Sequence, residues 1–264
     1  MNKPVEQDSV LVELKGGKGI ITINRPKVLN AVDWNTLSLL QDAFNNLIEN
    51  QDVRVIILTG AGEKAFISGG DINTEIKLDG LAAYHWSHAG HRLCALIENS
   101  PKPVIAAING YALGGGFEIS LACDFRICSP NAKFGAPETK LGVICGLGGN
   151  VRLPRIVGKT KALEILMTGQ MFDAQEAYRL NLVNRIAPAG QLMEAVDELC
   201  ANLLDKNTIV LDLIKKAVDY GMEIDLRSAD QYEASLFGLV FSTEDKNEGM
   251  TAFLEKRPPR FKNR

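Results

Sequence analysis

Short apolar runs alternate with helical patterns in the first two thirds of the chain. The runs have the length of buried strands and lie at Gly19–Ile23, Val53–Leu58, Val104–Ile108, Phe125–Cys128 and Val183–Ile186. Between the first two, apolar residues recur with the helical period at Leu37, Leu40, Phe44, Leu47 and Ile48, and Asp33 is placed to cap that helix. Strands that alternate with helices predict an α/β fold.

The pattern changes to helices alone from about Leu192. Four amphipathic stretches follow one another at Leu192–Leu204, Ile209–Tyr220, Asp225–Phe241 and Thr243–Glu255. Pro258 and Pro259 come next and stop the last helix. We therefore predict an α/β core over residues 1–190 and a helical segment over residues 191–264.

Composition narrows the class of protein. The chain has 264 residues, of which 46% are hydrophobic and 23% charged, which is typical of a soluble globular protein. The net charge of -3 argues against a nucleic-acid partner. No apolar run approaches the roughly 18 residues that span a bilayer, and the start resembles neither a secretory signal nor a transit peptide. The five cysteines form no Cys-x-x-Cys pair, so free thiols in a reducing, cytoplasmic setting are expected.

Three glycine clusters are the first candidates for chemistry. They cover Ala65–Ile72, Asn109–Glu118 and Gly142–Gly149, and each precedes a predicted helix. Glycines at a helix start leave backbone N–H groups uncovered, and such groups can bind an oxyanion. Ordinary loops or tight helix packing would explain the same glycines. The third cluster does not fit a dinucleotide fingerprint, because Val151 occupies the place of its last glycine.

Two acids lie in apolar surroundings next to these clusters. Glu118 directly follows the triple glycine, and Glu138 lies in the loop Phe134–Glu138. Apolar surroundings alter the proton affinity of a carboxyl, which suits acid–base work, although helix capping or pairing with an arginine is the common alternative. The histidines, at 85, 88 and 91, have no neighbouring acid or cysteine that would complete a metal site, so no metal is expected.

Taken together, these motifs resemble the crotonase family, and within it the enoyl-CoA hydratases. Ser68–Ile72 resembles the family's first oxyanion-hole loop, Asn109–Glu118 its second, and Phe134–Glu138 its second-glutamate loop. The ends match as well, at Asn24-Arg25-Pro26 with Asn30-Ala31 and at Phe253–Pro258. The similarity runs from about residue 10 to 262, and the combination is far more specific than any one motif.

The resemblance implies a spiral of ββα units followed by a C-terminal helical trimerisation segment, assembled as a homo-oligomer, either a trimer or a dimer of trimers. It implies reversible addition of water to a 2-enoyl-CoA in fatty acid metabolism, with the acyl-CoA as substrate and no permanently bound cofactor. The amides of Ser68 and Gly115 would bind the thioester carbonyl, Glu138 would supply the α-proton, and Glu118 would help to activate water. The residues expected to bind CoA or substrate are Lys27, Val28, Ala31, Ala65, Ser68, Gly69, Gly70, Asp71, Ile72, Gly115, Pro137, Glu138, Gly146 and Lys262.

Three positions depart from the family pattern. Ser68 replaces the usual alanine, Cys145 a common proline, and Phe117 a small residue. The last two bear on acyl-group size and not on the reaction class. Double-bond isomerisation on the same fold is the close alternative, and Glu118 favours hydration over it. An RNA-binding relative is the alternative from another class, which the charge argues against.

The tail leaves two interpretations open. Phe261-Lys262 resembles a terminal Phe-Lys that reaches the CoA of a neighbouring subunit in some relatives, and lysine suits the CoA 3′-phosphate. A frayed, solvated end is the alternative, since chain termini are commonly poorly ordered.

Overall fold

A computed structural model describes residues 9–263, which form two sheets and a set of covering helices. The strands are β1 (Val10–Lys15), β2 (Lys18–Ile23), β3 (Val55–Gly60), β4 (Ala65–Ile67), β5 (Val104–Ile108), β6 (Tyr111–Leu113), β7 (Phe125–Cys128), β8 (Lys133–Gly135), β9 (Phe172–Asp173) and β10 (Arg185–Ile186). The helices are α1 (Trp34–Glu49), α2 (Ile72–Glu75), α3 (Gly80–Glu98), α4 (Gly115–Ala122), α5 (Gly149–Val157), α6 (Lys159–Thr168), α7 (Ala174–Arg179), α8 (Leu192–Leu204), α9 (Thr208–Gly221), α10 (Leu226–Val240) and α11 (Glu244–Leu254).

Successive ββα units build the core as a spiral. The larger sheet has the order β1-β2-β3-β5-β7-β10, and the smaller one has the order β4-β6-β8-β9. In the units β3-β4-α3, β5-β6-α4 and β7-β8-α5, the first strand joins the larger sheet and the second joins the smaller. Neighbouring strands from successive units run parallel, so the loops that follow equivalent strands lie at the same edge of a sheet.

Both faces of the central strands of the larger sheet are buried, whereas the edge strand β1 is mostly exposed. Along β3, Ile56 and Leu58 face the main core under α1 and α3, whereas Val55 and Ile57 face the other side, where α8 packs. This alternation follows from the two-residue period of a strand, and burial of both faces explains why these strands read as continuous apolar runs. Beyond α8, Lys215 of α9 donates to the Ile97 carbonyl at 3.0 Å and thereby ties α9 to the core.

The predicted strands and helices are largely confirmed. β5 and β7 have the predicted bounds, α8 does as well, and α9, α10 and α11 differ from prediction by one residue at each end. Asp33 caps α1 by accepting from the Thr36 N–H at 2.8 Å, as the sequence predicts. The predicted strand Val53–Leu58 is shifted to β3, and only the last two residues of Val183–Ile186 are paired.

The described residues of the C-terminal tail are hydrogen-bonded to α11, which favours an ordered tail over a frayed one. The backbone N–H of Lys262 donates to Asp245 at 2.8 Å, and the N–H of Asn263 donates to the same carboxyl at 2.6 Å. The N–H of Arg260 donates to Glu248 at 2.7 Å. Between residues 9 and 263, no helix has both the length and the apolar character needed to cross a membrane.

Candidate active site

The first two glycine-rich loops meet because they follow paired strands. β4 and β6 run parallel, with Ala65 opposite Tyr111, so the loops at their carboxyl ends share one edge of the smaller sheet. A Cβ built on Gly69 would lie 4.0 Å from the Gly114 Cα and 3.9 Å from the Gly115 nitrogen. The sequence could not establish this contact, and the structure brings the two loops together.

The free amide of the first loop belongs to Gly70, which corrects the prediction for Ser68. The Ser68 N–H donates to the Leu29 carbonyl at 3.2 Å, so it is already engaged. The Gly70 N–H has no acceptor among residues 9–263, and its nitrogen lies 3.7 Å from where a Cβ of Gly115 would stand. The Gly115 N–H opens α4 and therefore has no partner within the helix. Gly70 and Gly115 thus present the pair of uncovered donors.

Glu118 is the buried acid of the site. Only 1% of the residue is exposed, and its Oε1 accepts from the N–H groups of Leu147 at 2.8 Å and Gly149 at 2.7 Å. Burial raises the pKa of Glu118 to about 7, and the charge of Glu138 adds to the rise, whereas the amide hydrogen bonds oppose it. The third glycine cluster therefore serves as the support that fixes this carboxyl.

Glu138 lies opposite, in the short 3-10 helix Pro137–Leu141. Its Oε2 is buried and accepts no hydrogen bond from the described residues, so this atom is free to accept one from a substrate or a reacting water. Burial raises the pKa of Glu138. A Cβ on Gly114 would stand 3.0 Å from the Glu138 Oε1, and the φ of Gly114 is +51°. Space and backbone conformation both require glycine at this position.

Cys145 completes a cluster with the two acids. Ligand atoms of Glu118, Glu138 and Cys145 lie within 4.8 Å of one another. Two carboxyls and a thiol can bind a metal, but they do so in their charged forms. Burial raises the pKa of all three groups, which favours the neutral forms. The cluster is therefore better suited to handling protons than to holding a cation.

Most of the predicted CoA-binding residues lie on connected loops. The Val32 N–H donates to the Gly69 carbonyl at 2.9 Å, and Arg25 pairs with Asp71 at 3.1 Å, so the segments around Lys27 and Ser68 are joined. The residues on these loops and around the acids are Lys27, Val28, Ala31, Ala65, Ser68, Gly69, Gly70, Asp71, Ile72, Gly115, Pro137, Glu138 and Gly146. Ala65 is the exception, because the whole residue is buried in β4 and its carbonyl accepts from the Asn30 side chain at 2.7 Å, so it does not face a ligand. Lys262 belongs to the C-terminal tail, where its backbone N–H donates to Asp245 of α11.

Two features of the site escaped the sequence reasoning. Glu75, the last residue of α2, places its carboxyl against Gly70, and no motif indicates this. The second feature is the choice of the free amide in this loop. The Leu29 carbonyl engages the Ser68 N–H, and the local sequence does not reveal that contact. The histidines of α3 are exposed on the surface, and His85 and His88 contact the Tyr84 ring.

Comparison with known proteins agrees with this geometry. Residues 13–264 match the family described as enoyl-CoA hydratase/isomerase. A crotonyl-CoA hydratase of Syntrophomonas wolfei is 41% identical over 96% of this chain and 98% of its own length. A short-chain-enoyl-CoA hydratase of Clostridium acetobutylicum is 40% identical over 98% of this chain and 100% of its own length. The crystal structure of an enoyl-CoA hydratase from Bacillus anthracis superposes with a TM-score of 0.94 at 38% identity, covering 97% of this chain and all of that one. The crotonase-like fold is thereby confirmed, and the chain belongs to the enoyl-CoA hydratase/isomerase family.

Proposed function

We propose that this protein is an enoyl-CoA hydratase that adds water reversibly to a 2-enoyl-CoA thioester. The observation that carries the proposal is the pairing of two acids with two free amides. Glu118 is buried with a pKa of about 7, and Glu138 has a buried oxygen without a protein partner. The N–H groups of Gly70 and Gly115 are uncovered beside them. Acid–base groups and an oxyanion hole are what addition to a conjugated thioester requires.

In the proposed mechanism the thioester carbonyl accepts hydrogen bonds from Gly70 and Gly115. These bonds stabilise the enolate that forms as water adds to the β-carbon, and losing one such donor costs on the order of 10²–10³ in rate. Glu118 and Glu138 hold the water between them. Glu118 helps to take a proton from the water, and Glu138 gives one to the α-carbon. A proton then passes from Glu118 to Glu138, within the same cluster, and restores both acids, so the net change is addition of H and OH across the double bond.

The chain supplies every group that this step uses, so we propose no permanently bound cofactor. The acyl-CoA enters as the substrate, and its CoA lies along the loops at Lys27–Ala31 and Ala65–Ile72. Those segments are linked through the Asn30 side chain, which donates to the Ala65 carbonyl at 2.7 Å. The names of the two hydratase relatives, crotonyl and short-chain, favour a short acyl group for this chain too.

A panel of linear and cyclic 2-enoyl-CoA thioesters tests the reaction and its substrate. Hydration removes the conjugated double bond, so absorbance of the enoyl thioester falls while the product gains the mass of one water. We expect the highest kcat/KM for short linear substrates. Turnover with no gain of mass would contradict hydration.

Double-bond isomerisation is the alternative within this family, and the position of Glu118 argues against it. Moving a double bond needs one acid to carry a proton, whereas holding and activating water uses two. Glu118 lies within 4.8 Å of Glu138, close enough for both to reach one water. Product analysis separates the two reactions, because isomerisation yields a 3-enoyl thioester of unchanged mass.

The C-terminal helices are the proposed oligomer contacts, with a trimer or a dimer of trimers as the assembly. They expose large apolar side chains, among them Leu226 at 78%, Phe253 at 83% and Leu254 at 81%. Exposed apolar residues in such number are typical of a protein–protein interface. Sedimentation of the wild type should give an oligomer, and Phe253→Glu with Leu254→Glu should weaken it. A wild-type monomer at micromolar concentration would contradict this assignment.

The five cysteines support a reducing, cytoplasmic setting for this step of fatty acid metabolism. All are buried and free. Free thiols persist where glutathione and thioredoxin keep them reduced. Fractionation of the host cell would test the compartment directly.

A further inference from the structure

The carboxyl of Glu75 packs directly on Gly70. A Cβ built on Gly70 would lie 2.6 Å from the Glu75 carboxyl carbon and 3.3 Å from its Oε2, and the nearest atoms all belong to Glu75. The φ of Gly70 is not positive, so its backbone conformation would accept alanine. The absence of a side chain at position 70 therefore provides space, and Glu75 fills it.

Trp86 of α3 is a neighbour of the Glu75 carboxyl. Trp86 is only 6% exposed and packs edge-on against Trp34, with ring centroids 4.9 Å apart, so its indole is held rigidly. Burial raises the pKa of Glu75, and a hydrogen bond from the Trp86 indole opposes the rise. Arg25 forms its ion pairs with Asp33, at 2.9 Å, and with Asp71, at 3.1 Å, and not with Glu75.

This arrangement places the Glu75 side chain against the residue that carries one of the two free amides. The direction of the Gly70 N–H depends on the peptide between Gly69 and Gly70, and Gly69 has a φ of +120°. Neither glycine has a side chain to restrict that peptide, so its orientation depends on the contacts around it. Contact with the Glu75 carboxyl limits the rotation from one side, and the hydrogen bonds of Val32 with Gly69 and Asp71 limit it from the other.

We propose that Glu75 is a positioning residue of the hydratase site, which orients the Gly70 amide toward the thioester carbonyl by packing its carboxyl against Gly70. The inference rests on the proposed function. Because the oxyanion hole acts mainly in the transition state, disorder of this amide lowers kcat more than it raises KM. A residue that only supported folding would change neither constant in the surviving folded protein.

Three variants test the proposal, with Glu63→Gln as an exposed control. Glu75→Ala should lower kcat by roughly 10- to 100-fold with KM changed about two-fold or less, since small misplacement of a catalytic group is costly. Glu75→Gln keeps the shape and the acceptor for the Trp86 indole, so it should retain about half of the wild-type kcat or more. Gly70→Ala should push the Glu75 carboxyl away and reproduce the loss seen in Glu75→Ala.

The double variant Gly70→Ala/Glu75→Ala should be no worse than either single variant, because both act through one displaced carboxyl. Infrared difference spectra of a bound thioester, labelled with ¹³C at the carbonyl, give a readout independent of turnover. The carbonyl stretch should fall on binding to the wild type and to Glu75→Gln, and should fall less in Glu75→Ala and Gly70→Ala.

Normal turnover and a normal carbonyl shift in Glu75→Ala would overturn the proposal, as would additive losses in the double variant. A Glu75→Gln variant as slow as Glu75→Ala would also overturn it, because packing and acceptor are both retained there. If the wild type does not hydrate any enoyl thioester, the proposed function fails instead. The infrared measurement distinguishes these cases, since it needs only a bound thioester.

Discussion

Replacing Glu118 with glutamine should stabilise the fold at alkaline pH while it removes activity. Burial raises the pKa of Glu118 from its ordinary 4.5 to about 7. The folded state therefore binds this proton more tightly than the unfolded state does. Its contribution to stability is fully present below pH 4.5 and is lost as the pH rises through about 7. Above that, the folded protein carries a buried charge at a cost of about 3 kcal/mol, at 1.36 kcal/mol per pKa unit.

Glutamine avoids this cost because it is never charged. Its carbonyl oxygen can still accept from the Leu147 and Gly149 N–H groups, which Glu118 binds at 2.8 and 2.7 Å. We expect Glu118→Gln to match the wild type near pH 4.5 and to exceed it by up to about 3 kcal/mol above pH 8.

Denaturant unfolding at matched protein concentration is the assay, because oligomer assembly makes apparent stability depend on concentration. The unfolding curves of the wild type and Glu118→Gln should lie close together at pH 5. At pH 8.5 the variant should unfold at a higher denaturant concentration than the wild type. The exposed control Glu63→Gln should show no such divergence. If Glu118→Gln differed in stability from the wild type by the same amount at pH 5 and at pH 8.5, or if it were the less stable protein at pH 8.5, the claim that burying this charge destabilises the fold would be refuted.

Three further predictions concern other parts of the molecule. Gly114→Ala should fold but lose at least about 10²-fold in kcat, because the new Cβ would meet the Glu138 carboxyl at 3.0 Å; normal kcat would contradict the geometry. Lys262→Ala keeps the backbone bond to Asp245 and removes only the ammonium group, so it should raise KM for CoA thioesters and leave KM for pantetheine thioesters, which lack the 3′-phosphate, unchanged. An equal rise in KM for both substrates would exclude phosphate recognition. Arg126→Met should destabilise the fold by roughly 3 kcal/mol or more in denaturant unfolding, because the carbonyls of Leu182, Ser120 and Cys123 lose their donor; unchanged unfolding would contradict this role.

The sequence predicts five of the six strands of the larger sheet, all but β1, and the terminal helices, because their signals are long. β5 is a continuous apolar run, β7 is apolar apart from Arg126, and α8 to α11 carry the helical period over ten residues or more. β4, β6 and β8 have three residues each, and β9 has two, which is too short for a period to be read. Their pairing depends on the spiral as a whole, so the smaller sheet is visible only in the structure.

In the site, too, the residues marked by a local motif could be predicted, whereas contacts that depend on the rest of the fold could not. Glu118 and Glu138 could be selected from their apolar motifs, and the structure places them within 4.8 Å of each other. The prediction for Ser68 failed because the loop has several adjacent amides, and the Leu29 carbonyl, far away in sequence, engages that of Ser68. Glu75 reaches Gly70 only through the turn of α2, and no spacing in the sequence reveals that contact.

Turnover of crotonyl-CoA by the wild type, Glu118→Gln, Glu138→Gln and the double variant tests the central claim most directly. Each single variant should lose roughly 10²- to 10⁴-fold in kcat while it folds and binds the thioester as the wild type does. The double variant should be little slower than the slower single variant, because both acids act on one water. Near-normal hydration by either single variant would remove that acid from the mechanism, and multiplicative losses would contradict a shared water.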